Sequence, residues 1–257
     1  MKIIVCAKQV PDPEKFPVGR YRDDKRLDRD AFPFTVNPID KNATELALTF
    51  AGDEPVRVVT MGPSSAVSAI REILSLGVSN ATHICDPQLS GADLLKTAKV
   101  LTATIKKYGA FDLIVCGKQT TDSMNSSIPA MVAELLGVPS LLGVEQAQIV
   151  DGYLEAKTLT DAGLTTWKLQ LPAVISVTKN INIPRLPSLR GMTKAMSVPI
   201  DTFDLAALDL LLDDESLSIL SQEPVSRQIE TVMVEGQTAA DKAENLVASL
   251  KEKGVTL

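Results

Sequence analysis

Short apolar runs alternate with longer segments of helical periodicity through the first 140 residues, and this alternation constrains the fold more than any other feature. The runs are too short for helices, so each predicts a buried strand. Strands that alternate with helices in this way form a parallel sheet that is covered on both faces. The predicted strands are Lys2–Ala7, which leads into a turn at Val10–Pro13, and then Val56–Met61, Ala81–Cys85 and Phe111–Cys116.

The segments between these runs carry apolar residues at helical spacing, and most of them end at a glycine. Glycine just after the last helical residue adopts the left-handed conformation that ends many helices. Gly77, Gly109 and Gly137 occupy this position. The predicted helices are Asp40–Phe50, a helix that opens near Gly62 and runs to Leu76, Ala92–Tyr108 and Ser126–Leu136.

After Pro139 the pattern becomes that of an antiparallel sheet with tight turns, and a last core strand follows. The predicted strands are Val144–Val150, Tyr153–Thr160, Thr165–Gln170 and finally Ala173–Thr178. Residues 14–33 are polar and have no clear period, so they predict either an excursion loop or a ragged hairpin. The predicted fold class is α/β: a doubly wound, mostly parallel sheet with helices on both faces, a small antiparallel addition and an extended C-terminal arm.

The chain changes character again near residue 180. The segment Asn182–Ser188 is rich in proline, which excludes regular structure there. From Asp201 the tail predicts a short acidic helix, a strand over Gln228–Val234 and an amphipathic helix over Ala239–Lys251. About 55 residues of this kind bury too little apolar surface to fold alone. We therefore predict an α/β domain over residues 1–200 and an arm over residues 201–257 that packs on a partner subunit.

Composition removes most self-contained chemistries. The net charge is −6 and no basic stripe is present, so nucleic acid is not an expected partner. One histidine and three scattered cysteines give no metal site and no disulfide frame, which predicts a reducing, cytoplasmic location. No run approaches the roughly 18 apolar residues of a membrane span. Carboxylates, amides, main-chain groups or a bound cofactor must therefore carry the chemistry.

The most informative loop is residues 117–127, which follows a predicted strand and precedes a predicted helix. Ligands of open α/β sheets bind at such strand ends, where the strand order reverses. The loop is rich in Ser, Thr and Asn, and its main-chain N–H groups together with the helix N-terminus suit a phosphate. Alternatively, Ser126 or Ser127 simply caps the helix. The usual nucleotide fingerprints, GxxxxGK[ST] and GxGxxG, are absent.

Other polar residues near strand ends also allow two interpretations. Lys8 either meets a ligand anion or reaches solvent. Asp40 either belongs to a nucleotide-facing turn over 37–40 or caps the helix that follows. Cys6 and Cys116 are expected to be inert core thiols, and His83 is expected to be structural.

Several segments taken together resemble the β subunit of electron transfer flavoprotein. Three motifs are the most specific: NP at residue 37, GKQxxD at residue 117 and PRxxSLRG at residue 184. The matching pieces run in family order over most of residues 1–200. They are Lys2–Asp12, Val36–Leu48, Val59–Ala69, Phe111–Asp122, Leu171–Val177 and Asn182–Ala195.

The resemblance implies a subunit that pairs with a larger α subunit and supplies a shell for flavin chemistry. In that family the α subunit holds most of the electron-carrying FAD. The β subunit buries an AMP, or a second FAD in flavin-bifurcating members. Its arm embraces the partner, and a recognition loop docks on acyl-CoA dehydrogenases or similar flavin dehydrogenases. The chain would then shuttle electrons and would contribute no catalytic residue of its own.

Carried over by position, the family's cofactor contacts and docking positions fall on defined residues of this chain. The loop 122–127 would hold the phosphate, and Leu189 would be the apolar anchor of the docking loop. The cofactor-binding residues implied are Cys6, Asn37, Pro38, Ile39, Asp40, Met61, Leu113, Gly117, Gln119, Asp122, Ser123, Met124, Asn125, Ser126, Ser127 and Ile128. The docking residues implied are Arg185, Leu189 and Arg190.

The chain departs from the bifurcating members at residues 122–129, where DSMNSSIP stands in place of DGDTAQVG. The second Asp and the Gln of that motif are missing, which favours AMP over a second FAD. The segment Cys85–Asp93 leans the other way. Three functions therefore stay open: a single-flavin electron carrier with AMP, a bifurcating subunit with a second FAD and NADH as donor, and a stand-alone AMP- or ATP-binding module.

Overall fold

The structure is a computed structural model that describes residues 1–15, 28, 31–211 and 231–255. The chain divides into two compact units, Met1–Leu220 and Ser221–Leu257. The predicted loop or hairpin over residues 14–33 lies largely outside the described residues.

The first unit is built on a sheet of nine strands. Their order is β11-β5-β4-β1-β6-β10-β7-β8-β9. Neighbours from β11 to β7 are parallel, and β8 and β9 continue the sheet in antiparallel fashion. The strands are β1 (Ile3–Cys6), β4 (Arg57–Met61), β5 (Asn80–Ile84), β6 (Leu113–Gly117), β7 (Ser140–Val150), β8 (Tyr153–Thr160), β9 (Gly163–Gln170), β10 (Ala173–Val177) and β11 (Ile200–Phe203).

Helices cover both faces of this sheet, because successive side chains of a strand point to opposite faces. Ile3 and Val5 of β1 face the core beneath the helices over residues 38–51 and 67–75, whereas Ile4 and Cys6 face the core beneath those over residues 94–107 and 128–136. The predicted fold class, a doubly wound α/β sheet that is mostly parallel, is confirmed. The helices are α1 (Pro38–Ala51), α2 (Val67–Ser75), α3 (Leu94–Lys107), α4 (Ile128–Leu136) and α5 (Leu189–Ser197).

Helix boundaries follow the local signals in the sequence. α1 starts with Pro38 at its first position, where the missing N–H costs nothing. Its buried face repeats at helical spacing, with Ala43, Leu46 and Ala47 against the sheet. α4 ends at Gly137, which has a φ of 71°, so the predicted stop is confirmed.

A small second sheet replaces the turn that was predicted at Val10–Pro13. The strands β2 (Gln9–Pro11) and β3 (Phe34–Val36) pair antiparallel. Pro11 is the last residue of its strand and is therefore compatible with pairing. The prediction of a turn there is wrong, because the paired residues are 23 to 27 positions apart and local pattern does not reveal such a partner.

Two further elements were not predicted. α5 follows the irregular segment 182–188. Its apolar residues at helical spacing, Leu189, Met192 and Met196, are exposed, and Ala195 is its buried residue. β11 then adds a parallel edge strand beside β5, which corrects the prediction that Ala173–Thr178 is the last core strand. β11 also spans the division predicted at residue 200, and Leu205 and Leu208 beyond it are buried.

The described part of the second unit, residues 231–255, contains α6 (Ala239–Glu252), close to its predicted bounds. A capping box between Thr238 and Asp241 starts this helix. Of the strand predicted over Gln228–Val234, residues 231–234 are irregular and the others lie outside the described residues. The predicted acidic helix is not formed over residues 201–211, and the segment that follows is also outside them. No helix in the described ranges has the length and apolar character needed to cross a membrane.

Candidate functional site

The strand order reverses beside β1, at the centre of the sheet. The chain adds β4 and β5 on one side of β1 and then returns to β6 on the other side. The carboxyl ends of β1 and β6 flank this switch point, where doubly wound sheets bind their ligands. Cys6 and Gly117 are the last residues of these two strands. The candidate site is therefore the crevice between the segments that follow them.

Asp40 is buried and joins the two segments that flank this crevice. Its Oδ2 accepts a hydrogen bond from the Lys8 N–H at 2.8 Å, and its Oδ1 accepts one from the Gly117 N–H at 3.2 Å. Asp40 does not cap α1, since its oxygens bind the main chain of distant segments and Asn37 occupies the N-cap position. The predicted nucleotide contact of Asp40 stays a prediction. Asp40 also fixes the identity of Gly117, because any Cβ there would collide with Asp40 Oδ1.

Burial and hydrogen bonding have opposite effects on the pKa of Asp40. Burial raises the pKa of Asp40 from 3.8 to about 7, while the hydrogen bonds from Asn37, Lys8 and Gly117 and the Lys8 charge act in the opposite direction. The carboxyl group therefore titrates near neutral pH.

Lys8 makes an ion pair across the mouth of the crevice. Its Nζ lies 2.7 Å from Oδ2 of Asp122, whose side chain is 1% exposed. The Lys8 side chain is partly exposed to solvent, but its ammonium group is paired with Asp122. Beside this pair lies a cleft of about 250 Å³ that is lined by Pro11, Pro13, Thr121 and Asp122.

The loop between β6 and α4 is folded by its own polar groups. The Met124 N–H donates to the Thr120 carbonyl at 2.7 Å, and Met124 has a φ of 49°, in the left-handed region. The Ser127 N–H donates to Asn125 Oδ1 at 2.9 Å. Ser127 occupies the N-cap position of α4 but its hydroxyl makes no cap hydrogen bond, so the prediction that it caps the helix is wrong. Its last five residues, 123–127, carry no charge and directly precede the N-terminus of a nine-residue helix.

The structure brings most of the predicted cofactor residues to this crevice. Met61 ends β4 beside β1, and Ile128 begins α4. Gln119 lies in the loop, and Pro38 and Ile39 form the first turn of α1. Ser123 and Ser126 lie in the same loop before α4.

Leu113 is the predicted residue that the structure does not bring there. It begins β6 at the amino end and is fully buried in the core beneath α1 and α2. Four residues of strand, about 13 Å, separate it from Gly117.

The two crevice thiols behave as core residues. Cys6 and Cys116 are neighbours in the pairing of β1 with β6, and both are buried. The hydrogen bond with Cys6 and burial hold the pKa of the Cys116 thiol well above its usual value. His83 is also buried, with its ring Nε2 lying 3.0 Å from the Gly62 carbonyl. In the described ranges, no group of three or more His, Cys, Asp or Glu side chains is placed to hold a metal ion.

A second candidate surface is the segment from Ile183 to Leu189, which we call the apolar loop. Ile183 is 93% exposed, Leu186 89% and Leu189 81%. Leu189 is therefore not buried in its own chain. Large apolar side chains exposed together in this way mark protein interaction surfaces.

The apolar loop is fastened to α1 by polar contacts. The Arg185 guanidinium donates two hydrogen bonds to the Glu45 carboxylate, at 2.7 and 2.9 Å. The main-chain N–H of Arg185 donates a third to the same carboxylate at 3.0 Å. Asn42 and Asn182 exchange hydrogen bonds between side chain and main chain. Arg185 is thus engaged within the chain, whereas Arg190 is exposed. Sequence reasoning missed Glu45 because 140 residues separate it from Arg185.

The fold and the crevice place the chain among the doubly wound α/β proteins, whose ligands bind at the switch point of the sheet. A family model described as the electron transfer flavoprotein domain matches residues 26–208. The chain therefore belongs to the electron transfer flavoprotein family.

Named relatives agree with this assignment. The electron transfer flavoprotein subunit beta of Mycobacterium tuberculosis is 31% identical over 94% of this chain and 93% of its own length. The subunit of the same name from Megasphaera elsdenii is 31% identical over 90% and 87%, respectively. Subunit CarD of the caffeyl-CoA reductase-Etf complex of Acetobacterium woodii is 32% identical over 99% of this chain and 100% of its own length. The predicted resemblance to the β subunits of this family is confirmed.

Proposed function

We propose that the chain is the β subunit of a heterodimeric electron transfer flavoprotein. It would pair with an α subunit, accept electrons from a flavin dehydrogenase such as an acyl-CoA dehydrogenase and pass them to a further acceptor. FAD bound chiefly by the α subunit would supply the redox chemistry. This chain would supply a nucleotide site, a docking loop and an arm. The observation that carries the proposal is the loop 117–128, held against β1 at the switch point of the sheet.

The crevice suits AMP. The α4 N-terminus and the main-chain amides of Ser123, Asn125 and Ser126 offer uncharged donors for one phosphate group. The amides of Met124 and Ser127 are engaged within the loop, so they are not among the proposed donors. Because Lys8 is paired with Asp122, the phosphate would be held by dipoles and not by a free cation.

The apolar loop suits docking on a dehydrogenase. Its side chains project from a segment that the Glu45–Arg185 and Asn42–Asn182 contacts hold in one conformation. A surface ordered before binding loses less conformational entropy when the partner arrives. Leu189 would be the central apolar anchor, and the exposed Arg190 would contact the partner at the edge of the interface. Arg185 would fix the conformation of the loop through its bonds to Glu45.

The second unit suits packing on the α subunit. Over the described residues of α6, Leu246 is 45% exposed and Val247 is 40% exposed. These residues belong to the apolar stripe that the sequence predicted for an arm without a core of its own. The second unit would therefore contact the α subunit, as the sequence predicted for the arm. Residues 201–208, which the prediction also gave to the arm, belong to the first unit instead.

A second candidate places FAD in the crevice instead of AMP, with NADH as donor. The alignment over the whole of a caffeyl-CoA reductase-Etf complex subunit favours it. The altered loop over residues 122–129 favours AMP.

The deciding experiment is the identification of the nucleotides released by denaturing the co-expressed α–β complex, counted per heterodimer. FAD and AMP in equal amounts are expected. Two FAD without AMP would establish the second candidate. An assembled complex without flavin would refute both and leave a stand-alone nucleotide-binding module.

A further inference from the structure

Four polar side chains close a ring of contacts around the crevice. The first is Asp40. Its carboxylate accepts one hydrogen bond from the Lys8 N–H, just after β1, and another from the Gly117 N–H, at the end of β6. The residues joined in this way are 32 and 77 positions away from Asp40 in the sequence. Asp40 therefore holds together the two strand ends between which a ligand would lie.

Asn37 extends this link into the loop. It is fully buried, and its Nδ2 donates both to Asp40 Oδ1 at 2.9 Å and to the Gln119 carbonyl at 3.0 Å. Its Oδ1 accepts from the Thr121 N–H at 3.3 Å. A side-chain amide with these contacts is not available to a ligand, so its role is to fix the path of residues 119–121.

Lys8 completes the ring. Its main chain is bound on both sides, by Asp40 at the N–H and by the Asn37 N–H at the carbonyl. Its side chain then crosses to Asp122, 114 positions away, in the same loop that Gly117 begins. The contacts therefore run from Asp40 through Lys8 to Asp122, and back along the loop to Asp40.

We propose that Lys8, Asn37, Asp40 and Asp122, here called the clasp, are positioning residues that keep residues 117–122 in the nucleotide-binding conformation and so retain the bound nucleotide. None of the four needs to touch the ligand. This inference rests on the proposed nucleotide site. Because the ring is closed, loss of one contact releases the restraint that the others provide, and the bound nucleotide dissociates faster while its association changes little.

The test measures exchange of bound AMP for radiolabelled AMP in the purified heterodimer. Asp40→Asn removes one acceptor without a change of size, and Asp122→Asn removes the charge that Lys8 contacts. Each change is expected to raise the exchange rate about tenfold or more, since a preorganised loop is lost. Asp12→Asn is the matched control: Asp12 is an acid near the same rim that pairs locally with Lys15, and its change should leave exchange within about twofold.

Two further measurements separate positioning from general loss of stability. Asp122→Glu keeps a carboxylate within reach of the flexible Lys8 side chain, so it should restore slow exchange. The double variant Asp40→Asn/Asp122→Asn should exchange little faster than the faster single variant, because both act on one ring.

The proposal is overturned if both single variants retain AMP as firmly as the wild type, or if the double variant shows the product of the two single effects. If Asp40→Asn does not fold, the comparison of Asp122→Asn with Asp122→Glu alone decides. If the crevice of the heterodimer holds FAD and not AMP, the same variants are tested by the exchange of bound FAD for radiolabelled FAD. A heterodimer that carries no nucleotide here refutes the proposed function, and the clasp with it.

Discussion

Gly191→Ala tests how closely α5 must approach α2 to present the apolar loop. An added Cβ at Gly191 would lie 2.5 Å from the Ser75 carbonyl oxygen at the end of α2 and 3.1 Å from Ser188 Oγ. The Ser75 oxygen is part of the main chain and cannot rotate away. The first turn of α5 must therefore move outward by about 1 Å to reach ordinary van der Waals contact.

The cost follows from the contacts that this movement breaks. Ser188 Oγ caps the helix by accepting from the Gly191 N–H, a bond of about 1 kcal/mol. Arg71 Nη1 donates to the Ala195 and Val198 carbonyls at 2.5 and 2.6 Å. Hydrogen bonds to a charged group contribute about 1.5 kcal/mol or more each. These three bonds together contribute about 4 kcal/mol, and Ala in place of Gly within a helix returns about 1 kcal/mol. We therefore expect Gly191→Ala to lower the free energy of local opening of α5 by about 3 kcal/mol.

Hydrogen exchange of the amides in α5 measures this opening. A loss of about 3 kcal/mol accelerates exchange about 100-fold, while amides of the central strands should change far less. Thr193→Ala is the control, since Thr193 is exposed on the same helix and contacts only its own helix, at the Leu189 carbonyl, in the bonds described. Exchange in Gly191→Ala within about threefold of the wild type would show that α5 does not depend on this close approach.

Three more changes test other parts of the site. Leu189→Ala should lower kcat/KM for electron transfer from the dehydrogenase by about tenfold or more, through loss of about 1.5–3 kcal/mol of burial, and should leave the flavin content unchanged; an unchanged rate contradicts its role as anchor. Gly117→Ala should lower the free energy of unfolding by about 2 kcal/mol, because its Cβ displaces a hydrogen-bonded Asp40; urea denaturation followed by the fluorescence of Trp167 measures it, and wild-type stability would refute the steric argument. Asp40→Asn should remove a pH dependence: burial raises the folded pKa to about 7 from 3.8, so the stability that Asp40 contributes is complete below pH 3.8 and is lost as the pH rises through 7. The wild type should therefore lose about 4 kcal/mol relative to Asp40→Asn between these limits, and parallel urea midpoints across this range would contradict the shift.

Signals carried by neighbouring residues were sufficient for most of the elements. The apolar runs became β1, β4, β5 and β6, and Gly137 ended α4 where its left-handed conformation predicts. The irregular path of residues 182–188 also follows from its prolines. These features depend on backbone geometry and on which face a side chain takes, and both repeat over a few residues.

Three other elements were missed. α5 has nine residues and directly follows a proline-rich segment, and its apolar residues at helical spacing, Leu189, Met192 and Met196, face solvent and not the core. β11 is four residues long and is recognisable only by its pairing with β5. The strand pair β2–β3 depends in the same way on a partner distant in sequence.

By itself, the sequence determined that this chain forms a doubly wound sheet with polar loops at its strand ends, because hydrophobic period and turn residues are local properties. The tertiary structure alone decided what those loops do. It placed Leu113 at the far end of its strand, paired Lys8 with Asp122 and gave Asp40 two main-chain partners. These contacts join residues up to 114 positions apart, and their geometry is set by the order of strands in the sheet, which no short stretch of sequence encodes.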